Sequence, residues 1–575
     1  MSTEAKNSET LVNLTIDQRQ VSVPKGTNLI EAAKLAGVEI PYYCYHPHLS
    51  VAGNCRMCQC KVGGKIGDGG KLSIACNTQV QEGMVVYTQQ SAPEVAEAQR
   101  ATLEFILINH PLDCTVCDQA GHCKLQDYYY DYNAEPSRFT EEKVHKVKAE
   151  PLGPEVMLDG ERCILCSRCV RFCDEITETS ELGMFNRGDH TVIGVVPGKE
   201  LTNPLAGSVV DLCPVGALTH RRWRFNTRIW YTDQVDTICV GCSTGCNVKV
   251  ATRDGEFVQI KSRLNSAVNQ EWLCDEGRYG FDRFQPKTRS LTPTAAGQSI
   301  NLEQALKLAQ QALSGQGALA VFLSPLLTVE DIFAISQLVT KSLGGNLADV
   351  AVQIRERSLT AVEAKLVSPD YAPNAYGAQL ILNPAASAKY VENFRAELEK
   401  RYLELLERVR SGGISRILLV GHEAIRDVDI DAKLREVLRA SSTVVLSAKA
   451  PVGENFEALA KVVFPTRSVY EKDGTMINSS GRIQRLKTVL KASQNLLPIW
   501  EIVKKLSAEI GAPAISNNVT DDRSFFRSMV EQLSLLEGLT LAEIGDQGVS
   551  IYDRSVKASD RRDATAKNFA SSAVI

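Results

Sequence analysis

The stretch CILCSRCVRFC, residues 163–173, places four cysteines within eleven residues. All 17 cysteines of the 575-residue chain lie between Cys44 and Cys274, and the last 301 residues contain none. A disulfide framework is typical of short secreted chains, whereas this chain is long and we expect it not to be secreted, because its first ten residues are polar. Cysteines grouped two or three residues apart in such a chain indicate metal ligation.

The spacing CxxCxxCxxxC is half of the bacterial two-cluster ferredoxin motif, in which the fourth cysteine of each run ligates the other cluster. A second run would occupy 203, 206, 209 and 213, where the chain has Asn203, Ala206, Val209 and Cys213. Only the cross-ligand is present, which leaves Cys173 without a cluster; the alternative makes Cys173 the fourth ligand. The motif therefore predicts one [4Fe–4S] cluster on Cys163, Cys166, Cys169 and Cys213.

A second set lies nearer the N-terminus, in a region that predicts two strands and a helix over 27–38 with Thr27 as its N-cap. The spacing C-x10-C-x2-C-x17-C resembles that of plant-type [2Fe–2S] ferredoxins, with a longer first gap. It predicts a [2Fe–2S] cluster on Cys44, Cys55, Cys58 and Cys76. We expect Cys60 to be a buried free thiol, and the glycine-rich 63–71 to be a hairpin turn.

The stretch HPLDCTVCDQAGHC, residues 110–123, combines three cysteines with two histidines. Three cysteines and one histidine also make an ordinary zinc site, so this stretch alone leaves the metal open. His122 is next to Cys123, and neighbouring side chains tend to point apart. We therefore expect the fourth ligand to be His110, at the end of a helix over 92–110 that Pro111 stops. The predicted set is His110, Cys114, Cys117 and Cys123.

The last set has the spacing C-x2-C-x3-C-x27-C. This pattern is typical of the small [4Fe–4S] domain that opens molybdopterin oxidoreductases, although a zinc ribbon is an alternative. It predicts a cluster on Cys239, Cys242, Cys246 and Cys274. Four such sets in succession favour an electron-transfer chain, and with it iron–sulfur rather than zinc at the His110 set.

The second half of the chain alternates helical patterns with short apolar runs such as ALAVFLS and STVVLSA, which predicts a parallel α/β arrangement. It resembles a molybdopterin oxidoreductase body, but no cysteine follows Cys274, the region is short, and Glu276 stands where those enzymes place a lysine. We expect no molybdopterin. His422 is expected at a helix start, and 555–575 as a flexible tail.

Charge and hydropathy exclude several other classes. The formal net charge of −4 offers no basic field for nucleic acid. The longest apolar runs, such as 318–327, are too short to span a membrane. No G-x-G-x-x-G follows a predicted strand, so the sequence shows no nicotinamide or flavin site.

The order of these sets resembles that of the large iron–sulfur subunit of respiratory NADH:quinone oxidoreductase, complex I, over about residues 10–290 and more weakly at 469–485. The resemblance implies a [4Fe–4S] cluster on the His110 set. It implies that electrons come from a flavin subunit, pass the [2Fe–2S], Cys163-set and His110-set clusters, and leave for quinone-proximal subunits. The Cys239-set cluster lies off this line in the family. The implied place is peripheral, on the cytoplasmic side of the inner membrane, without direct membrane insertion.

The predicted fold class is multidomain α/β and α+β, with one [2Fe–2S] and three [4Fe–4S] clusters. The N-terminal domain is expected to be a β-grasp ferredoxin. The predicted domains are a [2Fe–2S] ferredoxin domain at 1–90, a one-histidine domain at 91–135, a ferredoxin-like domain at 136–225, a molybdopterin-type cluster domain at 232–290, a truncated α/β body at 291–554 and the tail at 555–575.

Three other functions compete with this interpretation. A molybdenum-dependent, formate dehydrogenase-like catalytic subunit would need a lysine where this chain has Glu276, and a serine or aspartate as metal ligand because no cysteine follows Cys274. An iron-only hydrogenase would need a second ferredoxin cluster and further downstream cysteines. A zinc-bearing assembly module would not explain the spacing of the [2Fe–2S] and ferredoxin-like sets.

Replacing His110 by cysteine tests the ligand assignment. Histidine in place of cysteinate removes one negative charge from a cluster's ligand set, which should raise its reduction potential. We expect His110→Cys to keep a cluster whose potential, measured by redox titration, is lower than in the parent chain. An unchanged midpoint would contradict this assignment.

Overall fold

The computed structural model describes residues 10–63, 69–133, 135–284, 289–384, 394–421, 424–425, 429–449 and 456–552. The chain divides into an N-terminal unit, Met1–Thr232, and a C-terminal unit, Asp233–Ile575. His422 and the predicted tail at 555–575 lie outside the described residues.

The N-terminal unit begins with a five-stranded sheet in the order β2-β1-β5-β3-β4. Its central pair, β1 and β5, is parallel, and the other pairs are antiparallel. Along β1 every second residue is buried, and these residues pack with helix α1 in one core. The elements are β1 Leu11–Ile16, β2 Arg19–Pro24, α1 Leu29–Leu35, β3 Gln59–Gly63, β4 Lys71–Ile74 and β5 Met84–Tyr87.

Helix α1 begins one residue later than the sequence suggested, so the prediction of Thr27 as N-cap is wrong. Asn28 caps the helix, because its side-chain oxygen accepts from the Ile30 N–H at 2.9 Å. The Thr27 hydroxyl donates instead to the Pro24 carbonyl at 2.7 Å. The predicted turn at 63–71 joins the antiparallel strands β3 and β4, and its residues 64–68 lie outside the described part.

Two helices follow, α2 Pro93–Leu107 and α3 Lys124–Tyr132. Helix α2 starts with proline in its first turn, where the missing N–H costs nothing. It ends three residues before His110, and Lys143 donates to the last carbonyl, that of Leu107, at 3.1 Å.

The rest of the N-terminal unit has two small sheets, β10-β7-β6 and β8-β9. Helix α4 begins within the CxxCxxC run and continues directly into a π-helical turn, Phe172–Ile176. The elements are β6 Glu150–Pro151, β7 Val156–Leu158, α4 Arg168–Arg171, β8 Leu182–Phe185, β9 Val192–Val195, α5 Ser208–Leu212 and β10 Leu218–His220.

The C-terminal unit opens with an antiparallel sheet in the order β11-β12-β13, followed by a short helix. Most residues of the central strand β12 are buried. The elements are β11 Asp233–Ile238, β12 Asn247–Arg253, β13 Glu256–Ser262 and α6 Asp275–Tyr279.

The body of this unit is a seven-stranded sheet in the order β15-β14-β20-β19-β18-β16-β17, in which the last five are parallel. The central strands are buried on both faces, as a parallel sheet covered by helices requires. The strands are β14 Thr294–Ala295, β15 Gln298–Ser299, β16 Leu319–Leu323, β17 Val350–Val352, β18 Arg416–Val420, β19 Ser442–Ser447 and β20 Val462–Pro465.

Helices cover the two faces of this sheet, and a second sheet, β21-β22-β23, lies beside it. The remaining elements are α7 Leu302–Leu313, α8 Val329–Gln337, α9 Ala375–Leu382, α10 Phe394–Arg410, α11 Ala432–Ala440, β21 Gly474–Ile477, β22 Arg482–Leu486, α12 Ile499–Ile510, α13 Asp522–Val530, α14 Leu541–Ile544 and β23 Val549–Ser550. The predicted parallel α/β body is confirmed.

Two leucines provide a matched test of this core. Leu418 lies in the central strand β18 and is 0% exposed, whereas Leu403 on α10 is 45% exposed. We expect Leu418→Ala to lower the free energy of unfolding of the C-terminal unit by about 2–5 kcal/mol, because it leaves a cavity. Leu403→Ala should cost about 0.5 kcal/mol or less. Equal shifts of the two urea midpoints would contradict the described core.

Candidate iron–sulfur sites

The connections of the N-terminal sheet bring the predicted [2Fe–2S] ligands together. Cys44 lies in the long loop after α1, Cys55 and Cys58 precede β3, and Cys76 lies in a 3-10 turn after β4. The Cys44 N–H donates to the Cys55 sulfur at 3.5 Å. Asn28, the cap of α1, also donates from its side chain to the Cys76 carbonyl at 2.7 Å, which fixes the turn that carries this cysteine.

The four thiols of this set are close enough to affect each other's ionisation. Hydrogen bonding from the Cys55 thiol lowers the pKa of Cys44, and the Cys76 thiol lowers the pKa of Cys58. Thiolates are the form that binds iron. Cys60 lies in β3 within the core, donates to the Ser73 carbonyl at 3.8 Å, and has a pKa raised by burial to about 12.

The four residues of the His110 set line one cavity of about 890 Å³. His110 follows the end of α2, Cys114 and Cys117 lie in and after a 3-10 turn, and Cys123 caps α3. Burial lowers the pKa of His110 to about 4, which keeps the imidazole neutral. His122 is not among the lining residues.

The tautomer of His110 follows from its neighbour. Its Nδ1 lies 3.0 Å from the Pro111 carbonyl oxygen, which can only accept a hydrogen bond, so Nδ1 carries the proton. The Nε2 lone pair is then available to a metal. A histidine ligand oriented by a backbone carbonyl is the usual arrangement in metal sites.

The Cys163 set surrounds a small cavity of about 20 Å³ with an apolar wall. Cys213, which follows α5, reaches the cavity beside the three cysteines of the CxxCxxC run. Cys173 is not among its lining residues; its thiol is buried beside Glu181 and the backbone of Leu182, and burial raises its pKa to about 12.

The Cys239 set lies within the C-terminal unit around a cavity of about 10 Å³. Backbone N–H groups of Gly241 and Gly277 donate to the sulfurs of Cys239 and Cys274 at 3.4 and 3.3 Å. A Cβ on Gly277 would come within 3.1 Å of the Cys239 sulfur, so glycine leaves the room that a bound group needs.

No group of three or more histidine, cysteine or acidic side chains in the described ranges is arranged to hold a single metal ion. An iron–sulfur cluster requires a different geometry, because its ligands bind different iron atoms, one or two ligands to each iron, and need not converge on a single point. The thiols, most of which are buried, the available His110 Nε2 and the space beside Gly277 fit such clusters.

Two arginines join the [2Fe–2S] set and the Cys163 set. Arg171 Nη2 donates to the carbonyls of Cys44 at 2.6 Å and Cys166 at 3.4 Å. Arg168, which is 6% exposed, donates to the carbonyls of Leu212 at 3.1 Å and Tyr45 at 2.5 Å. Both guanidinium groups therefore bind backbone at or next to predicted ligands of two different sets.

The Cys163 set and the His110 set also meet directly. Gly216, three residues after Cys213, lines the His110 cavity, and a Cβ built there would overlap the Cys117 sulfur. Arg162, the residue before Cys163, lines the same cavity. Residues at or next to the Cys163 set thus contact both of the other sets of the N-terminal unit.

Models of known protein families match five stretches of this chain. The matches are to a 2Fe-2S iron-sulfur cluster binding domain at 9–91, the NADH-ubiquinone oxidoreductase-G iron-sulfur binding region at 99–138, the ferredoxin-like domain of NADH-quinone oxidoreductase subunit 3 at 153–219, the molybdopterin oxidoreductase Fe4S4 domain at 232–285 and molybdopterin oxidoreductase at 351–509.

Similar chains carry matching names. An NADH-quinone oxidoreductase subunit of Streptomyces coelicolor is 37% identical over 60% of this chain and 41% of its own. The mitochondrial 78 kDa subunit of NADH-ubiquinone oxidoreductase from Neurospora crassa is 40% identical over 59% of this chain and 46% of its own. Over about three fifths of its length, this chain is similar to NADH-quinone and NADH-ubiquinone oxidoreductase subunits. It spans less than half the length of these two relatives.

These matches confirm the resemblance and the predicted fold class. The chain has 2Fe-2S and 4Fe-4S binding domains followed by a molybdopterin oxidoreductase-like body. The cysteine pattern did not single out Arg162, Arg168, Arg171 or Gly216. Arg168 and Arg171 are interleaved with the cysteines of 163–173 and Arg162 directly precedes them, but no sequence pattern predicts which backbone groups a guanidinium will contact.

Gly216→Ala tests the close approach of the His110 and Cys163 sets. The added methyl would displace the Cys117 sulfur. We expect loss of about four irons per chain, one cubane, with the EPR signal of the His110 set lost and that of the Cys163 set kept. Gly315→Ala is the control, because a Cβ there meets nothing within 4 Å. Full iron content in Gly216→Ala would contradict the described packing.

Proposed function

We propose that this chain is the electron-relay subunit of an NADH:quinone oxidoreductase. It would pass electrons from a flavin subunit, through a [2Fe–2S] and [4Fe–4S] clusters, towards the quinone-reducing subunits. The observation that supports the proposal is that Arg171, Arg162 and Gly216, all near the Cys163 set, contact residues of the other two predicted ligand sets. The names of the relatives support the same function.

The proposed ligands are those of the four sets, with one [2Fe–2S] and three [4Fe–4S] clusters. When bound, these clusters supply one-electron redox chemistry. The [2Fe–2S] ligands are Cys44, Cys55, Cys58 and Cys76. The [4Fe–4S] ligands are His110, Cys114, Cys117 and Cys123 in one set, Cys163, Cys166, Cys169 and Cys213 in another, and Cys239, Cys242, Cys246 and Cys274 in the last.

The protein's own part is to hold these ligands in place and fix the spacing between them. The Cys163 set has an apolar wall, which limits water and favours a defined potential. Arg168 and Arg171 tie the loops of this set and the [2Fe–2S] set together. Neutral His110 makes its ligand set less negative than four cysteinates would be.

The proposed partners are the flavin and NADH-binding subunit, other peripheral-arm subunits and the quinone-proximal iron–sulfur subunits. The absence of a dinucleotide motif in the sequence supports oxidation of NADH elsewhere. Within the described part of the chain, no helix has the length and apolar character needed to cross a membrane. We propose a peripheral position on the cytoplasmic side of the inner membrane.

The C-terminal unit is proposed to carry the Cys239-set cluster and no molybdopterin. Glu276, at the position of a lysine in molybdopterin oxidoreductases, accepts from the Tyr371 hydroxyl and pairs with Arg357 at 3.2 Å. These partners hold a carboxylate beside the Cys239 set. The match to molybdopterin oxidoreductase at 351–509 makes a molybdenum enzyme the competing function.

Elemental analysis of the anaerobically purified chain separates these functions. We expect about fourteen irons with matching sulfide, since a [2Fe–2S] cluster holds two irons and a cubane four. Neither zinc nor molybdenum should be stoichiometric. Cys242→Ser should remove about four irons and leave the EPR signals of the N-terminal unit unchanged. About one molybdenum per chain would contradict the proposed relay function and favour a molybdenum enzyme.

A further inference from the structure

Arg162 is a buried charge at the meeting point of two candidate sites. It precedes Cys163 in the chain, yet its side chain lines the cavity of the His110 set together with Cys117 and Gly216. The residue is only 4% exposed. A guanidinium remains charged at any physiological pH, so a full positive charge lies beside the His110 set.

The hydrogen bonds of this guanidinium are incomplete. Nε and Nη2 donate to Asp113 Oδ2 at 3.2 and 3.0 Å, and Nε also lies 3.3 Å from Asp159 Oδ2. Nη1 is buried and has no hydrogen-bond partner among the residues that the structure describes. A buried charged donor left unpaired is costly, so a bound group that this donor reached would be stabilised by it.

The cavity beside Arg162 is the place where such a group would sit. It is lined by His110 and the three cysteines of the set, and these residues would hold a group with sulfide and cysteinate sulfurs. Sulfur accepts hydrogen bonds, and N–H donors to cluster sulfurs are among the factors that set reduction potential. The Nε and Nη2 donors of the guanidinium are already occupied by the two carboxylates.

We infer that Arg162 donates from Nη1 to a sulfur of the group held by His110, Cys114, Cys117 and Cys123, and thereby raises its reduction potential. The donor and its charge stabilise the more negative, reduced form over the oxidised form. Asp113 and Asp159 fix the plane of the guanidinium and so direct its free donor. The inference rests on the proposed function and adds a residue that sets the potential of one of its sites.

Lys148 provides a matched control for the effect of charge alone. Its Nζ lies 2.7 Å from Asp113 Oδ2 and 2.6 Å from Glu161 Oε2, so it shares a carboxylate with Arg162. Lys148 is not among the residues that line the cavity. Lys148→Met therefore removes a nearby positive charge without removing a donor from the cavity.

The experiment is an EPR-monitored redox titration of the cluster-loaded chain and of Arg162→Met, Arg162→Lys and Lys148→Met. We expect both Arg162 variants to shift the His110-set midpoint to lower potential, and by more than Lys148→Met does. If Arg162→Met fails to assemble the cluster, Arg162→Lys still tests the hydrogen bond from Nη1. Lysine keeps the positive charge but lacks the planar guanidinium that holds the donor in place.

A second readout detects the contact itself. In the chain labelled with ¹⁵N-arginine, pulsed EPR of the reduced His110 set should show a ¹⁵N coupling that Arg162→Lys abolishes. Unchanged midpoints without such a coupling would overturn the inference, as would equal shifts in Lys148→Met and Arg162→Met. If the unsubstituted chain has no His110-set signal at all, the proposed function fails, and this inference fails with it.

Discussion

The hydrogen bonds of one guanidinium connect two ligand loops that lie more than a hundred residues apart in the chain. Arg171 binds the carbonyls of Cys44 and Cys166, and charged donors of this kind are worth about 1.5–3 kcal/mol each. Because the side chain bonds to the backbone that carries the sulfurs, it fixes the distance between two sites as well as the position of each. The arrangement of the N-terminal unit depends on this constraint.

The contact between the Cys163 set and the His110 set depends on a glycine, a residue without a side chain. Gly216 allows the Cys117 sulfur to approach the loop that carries Cys213. Arg162, one residue before Cys163, occupies the same junction from another segment of the chain. Loops of the Cys163 set therefore form part of the wall of the His110 set, and the two sites are built as one structure rather than as separate domains.

Cysteine spacing was sufficient to group the predicted ligands, because each set is carried by a local motif and one further residue. The ranking of His110 over His122 followed from the expected directions of neighbouring side chains, and His110 indeed lines the cavity. The N-cap was misassigned because Thr27 and Asn28 are both good caps, and only the backbone decides between them. The arginine contacts depend on long-range packing that no local pattern records. The assignment of iron ligands itself stays a prediction.

The proposed relay depends above all on the order of the three sites in the N-terminal unit. That order is tested most directly by the spin relaxation of the [2Fe–2S] EPR signal in the fully reduced chain, compared with the variants Cys213→Ser and Cys123→Ser. We predict that loss of the Cys163 set by Cys213→Ser slows this relaxation, because the neighbouring spin is gone. Loss of the His110 set by Cys123→Ser should leave it nearly unchanged. The reverse result, with relaxation slowed only in Cys123→Ser, would contradict the placing of the Cys163 set between the other two.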